Sequence, residues 1–321
     1  MVNNMKKVLF ICPSFFEYHK MIKQKIMECG YDVDYFDDRP RMGTIYKGLL
    51  RVNKNILKKK IEKYFNEILK KTTNVSYEKV IVILGQSFND THFLKLKSVH
   101  SESEFIYYTW DAITNFPNTL ESSKIFDRAY SFDPNDCDKY DHLKYLPLFY
   151  SKKYDDVEEV EKNDKVLIFT TIKKGKLRQI EQIESDISKY KKVDKRLFLQ
   201  SKLVFWYYKL FDADFKKYRM KDFVYTRTNY SDACKLMKEY SYIVDVPMNN
   251  QNGLTIRTME SIEFRTKLIT TNKNIVESDL YNSSNVIIYP NIEEEFFKGK
   301  FKIVDNEKYY INNFVKILLG I

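Results

Sequence analysis

The sequence predicts an α/β protein made of two doubly wound, parallel-sheet domains that face each other across a cleft. Short apolar runs rich in β-branched and aromatic residues alternate with segments of helical apolar spacing, which is the pattern of a parallel sheet with helical crossovers. The alternation begins again after residues 155–164 (DDVEEVEKND), a charged segment without Gly or Pro. Because a chain of 321 residues is longer than a single hydrophobic core usually supports, we expect an N-terminal domain over residues 1–150 and a C-terminal domain over residues 151–321.

The first half opens with a strand, a helix and a second strand. Residues 7–12 (KVLFIC) predict the strand, residues 16–29 a helix that ends at Gly30, and residues 32–36 (DVDYF) the next strand. A long, lysine-rich amphipathic helix and three further strands follow, at residues 53–72 for the helix and at 79–84, 105–109 and 129–132 for the strands. Such alternation implies one parallel sheet with right-handed crossovers.

The second half repeats this alternation. Its predicted strands cover residues 165–171, 223–226, 242–246, 267–271 and 285–289. Its predicted helices cover residues 177–190, 230–240 and 306–319, with one more that starts near Leu254. Ligands of doubly wound sheets bind outside the carboxyl ends of the strands, so we expect functional side chains in the loops that follow strands.

The composition indicates a globular protein, which we expect to be cytoplasmic. No apolar run approaches the ~20 residues of a membrane-spanning helix, and the N-terminal apolar run is short and lacks a small-residue cleavage site. The four Cys residues and four His residues form no CxxC or HxxxH pair. We therefore expect no zinc site, no disulfide framework and no metal bound through His or Cys.

The net charge of +10 and the aromatic content of 16% leave nucleic acid, an anionic membrane surface or an anionic substrate as partners. The basic excess is mostly Lys, and no RNP motif, zinc finger or Arg-rich segment is present, so nucleic acid is the weakest of the three. Residues 53–72 and 196–221 combine basic and apolar residues and fit an anionic membrane surface. Alternatively, the apolar residues of the second segment belong to the core: Leu203, Val204, Trp206, Tyr207 and Leu210.

A polar loop stands between a predicted strand and a predicted helix. Residues 249–253 (NNQNG) form the loop, and apolar residues recur at helical spacing from Ile256 onward. The N–H groups and the dipole at a helix N-terminus favour an anion, so this junction predicts a phosphate site. The alternative is an ordinary Asn-Gly loop followed by a surface ion pair between Arg257 and Glu260.

Two segments carry a likeness to a known family. Residues 107–140 (YYTWDAITNFPNTLESSKIFDRAYSFDPNDCDKY) and 252–275 (NGLTIRTMESIEFRTKLITTNKNI) resemble segments of bacterial GT-B-type glycosyltransferases from capsule and lipopolysaccharide gene clusters. The resemblance implies two Rossmann-like domains, the N-terminal one for the acceptor and the C-terminal one for a nucleotide-sugar donor. Many retaining members carry a Glu-x7-Glu motif, whose second Glu is Glu260 here. Its first position is Asn252, so the sugar and the stereochemistry stay open.

The resemblance also implies donor-binding residues in the C-terminal domain. The turn after the strand at 165–171 (TIKKGKLRQ) contains the candidates for the donor phosphate, of which Arg178 is preferred: Lys173, Lys174, Lys176 and Arg178. Each lysine is equally well explained as a solvated turn residue. Arg227 follows the predicted strand at 223–226 and is expected to contact the base or phosphate. Backbone N–H groups, one hydroxyl and one ribose-binding carboxylate complete the donor set: Asn252, Gly253, Leu254, Thr255 and Glu260.

On the acceptor side, an inverting transfer needs a base for the acceptor hydroxyl. Asp111 follows a predicted buried strand and is the first candidate, although it could instead cap or anchor the next segment. Glu17 and His19 form a second pair after the first strand. A histidine of ordinary pKa suits base catalysis at neutral pH, but a lone His on an amphipathic helix is more often structural. Asp133 and Asp136 are interpreted as helix caps.

Together these patterns predict a metal-independent glycosyltransferase of the hexosyltransferase type. It would use a UDP- or GDP-linked sugar as substrate and no further cofactor. The expected acceptor is a surface-polysaccharide glycan or its lipid-linked precursor, with the enzyme peripheral at the inner face of the cell membrane. Two alternatives stay open: a non-catalytic two-domain nucleotide or sugar binder, which Asn252 keeps open, and a basic nucleic-acid-binding protein.

Overall fold

The computed structural model describes residues 5–14, 17–40, 54–151, 160–248, 251–304 and 307–321. The chain divides into unit 1 (Met1–Leu148, Asn250–Gly253 and Ile311–Ile321) and unit 2 (Phe149–Asn249 and Leu254–Tyr310). Several predicted features lie outside the described residues: the helix starts at residues 16, 53 and 306, the loop residues 249–250, and residues 155–159 of the predicted boundary segment.

The described strands fall into two groups. Unit 1 contains β1 (Lys7–Ile11), β2 (Asp32–Phe36), β3 (Lys79–Ile83), β4 (Glu104–Tyr108), β5 (Arg128–Ser131) and β6 (Leu143–Tyr145). Unit 2 contains β7 (Asn163–Thr171), β8 (Val193–Phe198), β9 (Tyr240–Asp245), β10 (Lys267–Thr270) and β11 (Val286–Ile288).

The described helices alternate with these strands. Unit 1 contains α1 (Tyr18–Glu28), α2 (Lys54–Thr72), α3 (Asp90–Val99), α4 (Asn118–Ser123), α5 (Pro134–Lys139) and, at the C-terminus, α11 (Ile311–Leu319). Unit 2 contains α6 (Lys176–Ile187), α7 (Lys202–Phe211), α8 (Tyr230–Lys238), α9 (Ile256–Glu263) and α10 (Glu294–Lys298).

Each unit has one parallel sheet that is wound in both directions. The strand order is β2-β1-β3-β4-β5-β6 in unit 1 and β11-β10-β9-β7-β8 in unit 2. All residues of β3 (KVIVI) are buried, as expected for a parallel strand with both sheet faces covered. The direction in which successive strands are added to the sheet reverses between β1 and β3 in unit 1 and between β7 and β9 in unit 2. The predicted doubly wound α/β class is confirmed.

The second strand of unit 2 differs from its prediction. The sequence predicts a strand at 223–226, but Val224 makes only an isolated bridge to Phe198, so that prediction is wrong. The sheet instead contains β8 (VDKRLF), which lies at its edge and exposes Lys195 and Arg196. Charged residues are common on edge strands, and they remove the apolar run by which a strand is recognised in sequence.

The C-terminal helix α11 packs within unit 1. The ring of Phe314 lies 5.0 Å from that of Tyr108 on β4. The Arg128 guanidinium donates to the carbonyl oxygens of Ile317 and Leu318, both at 2.9 Å, a favourable position for a cation because the C-terminal end of a helix is partially negative. The chain therefore returns to unit 1 after residue 310, whereas the predicted boundary places every residue after 150 in one domain.

Residues 251–253, which precede α9 in the chain, are anchored in unit 1. The backbone N–H of Asn252 donates to Oδ2 of Asp133 at 2.9 Å. A Cβ atom on Gly253 would lie 2.6 Å from both the carbonyl oxygen and a ring carbon of Phe132. No side chain fits there, so glycine permits this close approach of two backbones.

Replacing Gly253 by Ala is therefore expected to destabilise the protein by about 1–3 kcal/mol, the usual cost of overpacking. The measurement is the free energy of unfolding in denaturant. Gly299→Ala is the matched control, because its Cβ would meet only the amine of Lys267, at an ordinary van der Waals distance of 3.5 Å. A change within about 0.5 kcal/mol is expected there. Equal losses in the two variants would contradict the steric argument.

Candidate functional site

The first candidate site lies in unit 2 at the carboxyl ends of β7 and β9. Connections leave in opposite directions at such a reversal point, and the separated loops form a crevice for ligands. Helix α6 begins at Lys176, soon after β7, and β9 ends at Asp245. Thr255 precedes the first residue of α9. The starts of two helices and the end of a central strand therefore contribute side chains to one region.

A buried carboxylate occupies the centre of this region. Asp245 is 8% exposed, and its Oδ2 accepts a hydrogen bond from the Thr255 hydroxyl at 2.7 Å. Burial raises the pKa of Asp245, while Thr255, Arg257 and Lys176 act in the opposite direction. Thr255 also caps α9, since its Oγ1 accepts from the Thr258 amide at 3.2 Å. The carboxylate thus joins the end of β9 to the start of α9.

Lys176, the first residue of α6, lies within electrostatic range of this carboxylate. Burial lowers the pKa of Lys176 to about 8; Asp245 opposes the shift, whereas Lys173 and Arg257 add to it. The amine of Lys173 lies 3.1 Å from the sulfur of Met248, which follows β9. Two lysines of the turn after β7 therefore approach the end of β9. An anion bound near them would restore the full charge of Lys176.

The predicted ion pair between Arg257 and Glu260 is present, but it is largely buried. Arg257 Nη1 lies 2.8 Å from Glu260 Oε2, and the two side chains are 18% and 8% exposed. The guanidinium carbon also lies 5.1 Å from the centre of the Phe169 ring on β7. Breaking a buried pair leaves an uncompensated charge, so this contact holds the first turns of α9 beside β7. The surface-pair alternative is wrong.

Arg178, which the sequence analysis prefers, has a different partner. Its side chain is 78% exposed, and its Nη2 lies 2.9 Å from Oδ1 of Asp214. This hydrogen bond raises the pKa of Arg178. Lys174 and Arg227 are exposed as well. Positions 176 and 178 are about 200° apart around α6, and Lys176 rather than Arg178 acts electrostatically on the buried carboxylate.

A second polar cluster lies at the reversal point of unit 1, beside β1 and β3. Oδ2 of Asp37 accepts from the backbone N–H of Ser14 at 3.1 Å and from its hydroxyl. Oδ2 of Asp38 accepts from the amide of Gln86 at 2.9 Å, and its Oδ1 lies 3.0 Å from Arg39 Nε. Asp38 is fully buried, which raises its pKa to about 7. The sequence signal for these residues is two consecutive carboxylates directly after a strand.

A cavity of about 730 Å³ opens beside Asp37 and is lined by His19, Tyr35, Tyr64 and lysines of α2. The His19 and Tyr35 rings stack with centroids 5.1 Å apart. Burial lowers the pKa of His19, which favours the neutral imidazole at neutral pH. Glu17 instead forms an exposed ion pair with Lys20 at 2.6 Å. The structure therefore places His19, and not its predicted companion, at a cavity.

Asp111 braces the loop that follows β4. Its Oδ1 accepts from the backbone N–H of Ala112 at 2.9 Å and from Nδ2 of Asn115 at 2.8 Å. The preceding residue, Trp110, has a φ of 55°, an uncommon conformation for a bulky side chain. These contacts are those of a loop anchor, the alternative that the sequence leaves open for Asp111.

The two aspartates interpreted as caps differ from each other. Asp133 caps α5 as predicted, because its Oδ1 accepts from the amide of Asn135 at 3.1 Å. Asp136 lies within α5, and its Oδ2 accepts from the Ile113 amide at 3.0 Å and the Ser131 hydroxyl at 2.9 Å. The capping prediction is therefore wrong for Asp136, which ties α5 to the loop after β4.

The described residues contain neither a candidate metal cluster nor a candidate membrane-spanning helix. Across these ranges, no group of three or more His, Cys, Asp or Glu side chains is placed to hold a metal ion. No helix in the described part of the chain has both the length and the apolar character that crossing a membrane requires. The four cysteines are free thiols.

The fold has known counterparts, although the sequence matches no protein-family model and no curated protein. The structure is similar to Alr3699/HepE of Anabaena in complex with UDP and glucose, with a TM-score of 0.60, 10% identity and 98% of each chain covered. A second structure of that protein contains UDP-glucose and has a TM-score of 0.58. AviGT4, a glycosyltransferase involved in avilamycin A biosynthesis, has a TM-score of 0.55, 10% identity and coverage of 98% of this chain and 92% of its own. The chain therefore has the two-unit α/β fold of GT-B glycosyltransferases.

Proposed function

We propose that this protein is a glycosyltransferase that moves a sugar from a nucleotide-diphosphate donor to a glycan or lipid-linked acceptor. The observation that carries the proposal is the buried charged cluster of Lys176, Asp245, Arg257 and Glu260 at the reversal point of unit 2. The fold is shared with a protein whose structures hold UDP and UDP-glucose. Half-buried cations at the carboxyl ends of the strands suit a nucleoside diphosphate in such a fold.

In this proposal the basic turn after β7 binds the donor diphosphate. Lys176, with Lys173 beside it, would stabilise the negative charge that develops as the sugar leaves. Protein cations would perform the task that a divalent metal performs in other transferases, so we propose metal-independent transfer. Arg178 and Lys174 would lie at the edge of the donor site and interact with the diphosphate only through longer-range electrostatic attraction.

The loop and the start of α9 would hold the nucleoside. Glu260 would accept from the ribose hydroxyls while Arg257 keeps its carboxylate ionised and oriented. The backbone N–H of Asn252 already donates a hydrogen bond to Asp133. Gly253, Leu254 and Thr255 would therefore contact the donor through their backbone and through van der Waals packing. Lys176 would supply the positive charge. Arg227 would contribute to the base or phosphate from the exposed segment before α8.

The acceptor would bind unit 1. His19 is the preferred base, because it lines a cavity large enough for a sugar unit and its lowered pKa keeps the imidazole neutral. Asp111 is the second candidate base, since it follows a central strand, and Glu17 would act only by orienting the segment around His19. We further propose that the acceptor belongs to a surface polysaccharide, such as capsule or lipopolysaccharide, or to its lipid-linked precursor at the inner face of the membrane.

Lys176→Met is expected to weaken UDP or GDP binding at least about tenfold, measured by titration calorimetry at pH 7. One charge-assisted hydrogen bond contributes about 1.5–3 kcal/mol, and 1.4 kcal/mol corresponds to a factor of about ten. Arg178→Met is the matched comparison. Because Asp214 already engages Arg178, its removal should change affinity by less than about twofold. A larger loss of affinity in Arg178→Met than in Lys176→Met would instead support Arg178 as the phosphate ligand, as the sequence predicts.

The affinity for the donor should also depend on pH through Lys176. Its pKa is lowered to about 8, so the fraction carrying a positive charge falls as the pH rises through that value. The dissociation constant of a UDP-sugar should therefore increase by up to about tenfold between pH 7 and pH 9. Lys176→Arg stays protonated over this range and should give a flat profile. A wild-type profile as flat as that of the Arg variant would contradict the assignment.

His19→Gln is expected to lower the rate of sugar transfer by about 10²–10⁴-fold, the usual contribution of a general base, with donor affinity unchanged. Asp111→Asn is the comparison, and its free energy of unfolding must be measured because Asp111 braces a loop. If only Asp111→Asn loses turnover while remaining folded, the base is Asp111 and not His19.

Two measurements distinguish the proposed transferase from the alternative functions, a non-catalytic binder and a nucleic-acid-binding protein. A non-catalytic binder would bind a nucleotide sugar and neither hydrolyse nor transfer it over long incubation with any glycan acceptor. A nucleic-acid-binding protein would bind DNA or RNA with an affinity that falls steeply with salt, without preference for nucleotide sugars. The fold and the charge cluster favour a nucleotide-sugar site over nucleic-acid binding, and turnover decides between a transferase and a binder.

A further inference from the structure

Helix α7 is apolar on two opposite sides. Its inner side packs in unit 2, where Phe205 is buried and Val204 and Tyr208 lie partly buried against the same core. Ser201 caps the helix, with its hydroxyl accepting from the Val204 amide at 3.2 Å. The helix is therefore a fixed element of the unit, and its outer side is held in a defined orientation.

The outer side of α7 presents a continuous apolar stripe. Five large side chains recur at positions i, i+3, i+4, i+7 and i+8, and each is between 54% and 81% exposed: Leu203, Trp206, Tyr207, Leu210 and Phe211. A helix that is apolar on all sides is normally buried, and a contiguous exposed patch marks an interaction surface. The core interpretation of this segment holds only for Val204 and is wrong for Leu203, Trp206, Tyr207 and Leu210.

The chain segment that contains α7 is strongly basic. Residues 196–221 contain seven Lys or Arg residues and two Asp residues, a net charge of +5. The amine of Lys209 donates to the carbonyl oxygens of Phe215, Lys216 and Tyr218. This contact holds the basic segment after the helix (KKYRMK, 216–221) alongside α7, where Lys216 and Lys221 are exposed.

We propose that the outer side of α7 lies in the plane of an anionic lipid bilayer, with the stripe at the boundary between headgroups and acyl chains. Trp and Tyr favour that boundary, and Leu and Phe enter the apolar layer. The exposed lysines of the segment after the helix would meet the negative headgroups. Charge complementarity selects anionic lipid over a second copy of this basic chain, whose surface would repel it. The inference deepens the acceptor part of the proposed function, while its test measures no sugar transfer.

The test is co-sedimentation of the full chain with phosphatidylcholine vesicles, prepared with and without phosphatidylglycerol. The wild type should bind the anionic vesicles at least about tenfold more strongly than the neutral ones. Trp206→Ser with Leu210→Ser should lower binding to anionic vesicles at least about tenfold, because binding follows the apolar area inserted. Lys216→Glu with Lys221→Glu should remove the preference for anionic vesicles.

Leu94→Ser is the matched control, since Leu94 is an exposed leucine on another helix, and it should bind as the wild type does. UDP affinity should be unchanged in all variants, so failure of lipid binding is distinguishable from failure of the donor site. No sedimentation with anionic vesicles, or an equal loss in the Leu94 control, overturns the proposal. A concentration-dependent dimer that Trp206→Ser abolishes, without vesicle binding, would overturn it in favour of a second copy.

Discussion

The candidate donor site depends on mutual neutralisation of buried charges. Burying an isolated carboxylate or ammonium costs several kcal/mol, yet Asp245 and Glu260 are both buried. Glu260 pairs with Arg257, and Arg257 and Lys176 act electrostatically on Asp245. Each charge is tolerated because an opposite charge accompanies it. The same pairing joins β7, β9, α6 and α9, so the local fold and the chemistry share one set of contacts. Burial lowers the pKa of Lys176, so its positive charge is incompletely compensated and an anionic ligand would stabilise it.

Much of the fold could be predicted from the sequence, and the exceptions have physical reasons. A strand such as KVIVI is apolar at every position because both faces are buried, and this makes it recognisable. The edge strand β8 has charged residues facing solvent, so no apolar pattern exists to detect. The return of α11 to unit 1 depends on partners that are remote in sequence, such as Arg128 with the carbonyl oxygen of Leu318. Local patterns carry no information about such contacts.

The site could be predicted by region but not by residue. Strand ends and the loops after them are visible in sequence, and both polar clusters lie there. Which lysine of the turn TIKKGKLRQ faces the sheet depends on where α6 begins, and a difference of two residues separates Lys176 from Arg178. Asp245 is hidden because it is the last residue of an apolar strand, and Asp37 and Asp38 resemble an ordinary acidic turn. Three-dimensional partners, rather than residue type, distinguish these side chains.

The two clusters have opposite chemical character, and glycosyl transfer needs both. In the proposed transfer, departure of a nucleoside diphosphate creates negative charge, which fixed cations in a site of low polarity would stabilise; in unit 2, Lys176 together with Lys173 would supply them. Attack by a hydroxyl releases a proton, which requires an acceptor that is uncharged at neutral pH and accessible from a cavity. In unit 1, burial lowers the pKa of His19, which lines a cavity, so we propose its imidazole as that acceptor. Burial thus depresses the pKa of the His19 imidazole and of the Lys176 amine, but with different consequences. At neutral pH the imidazole becomes a neutral base, whereas the amine remains charged until an alkaline pH is reached.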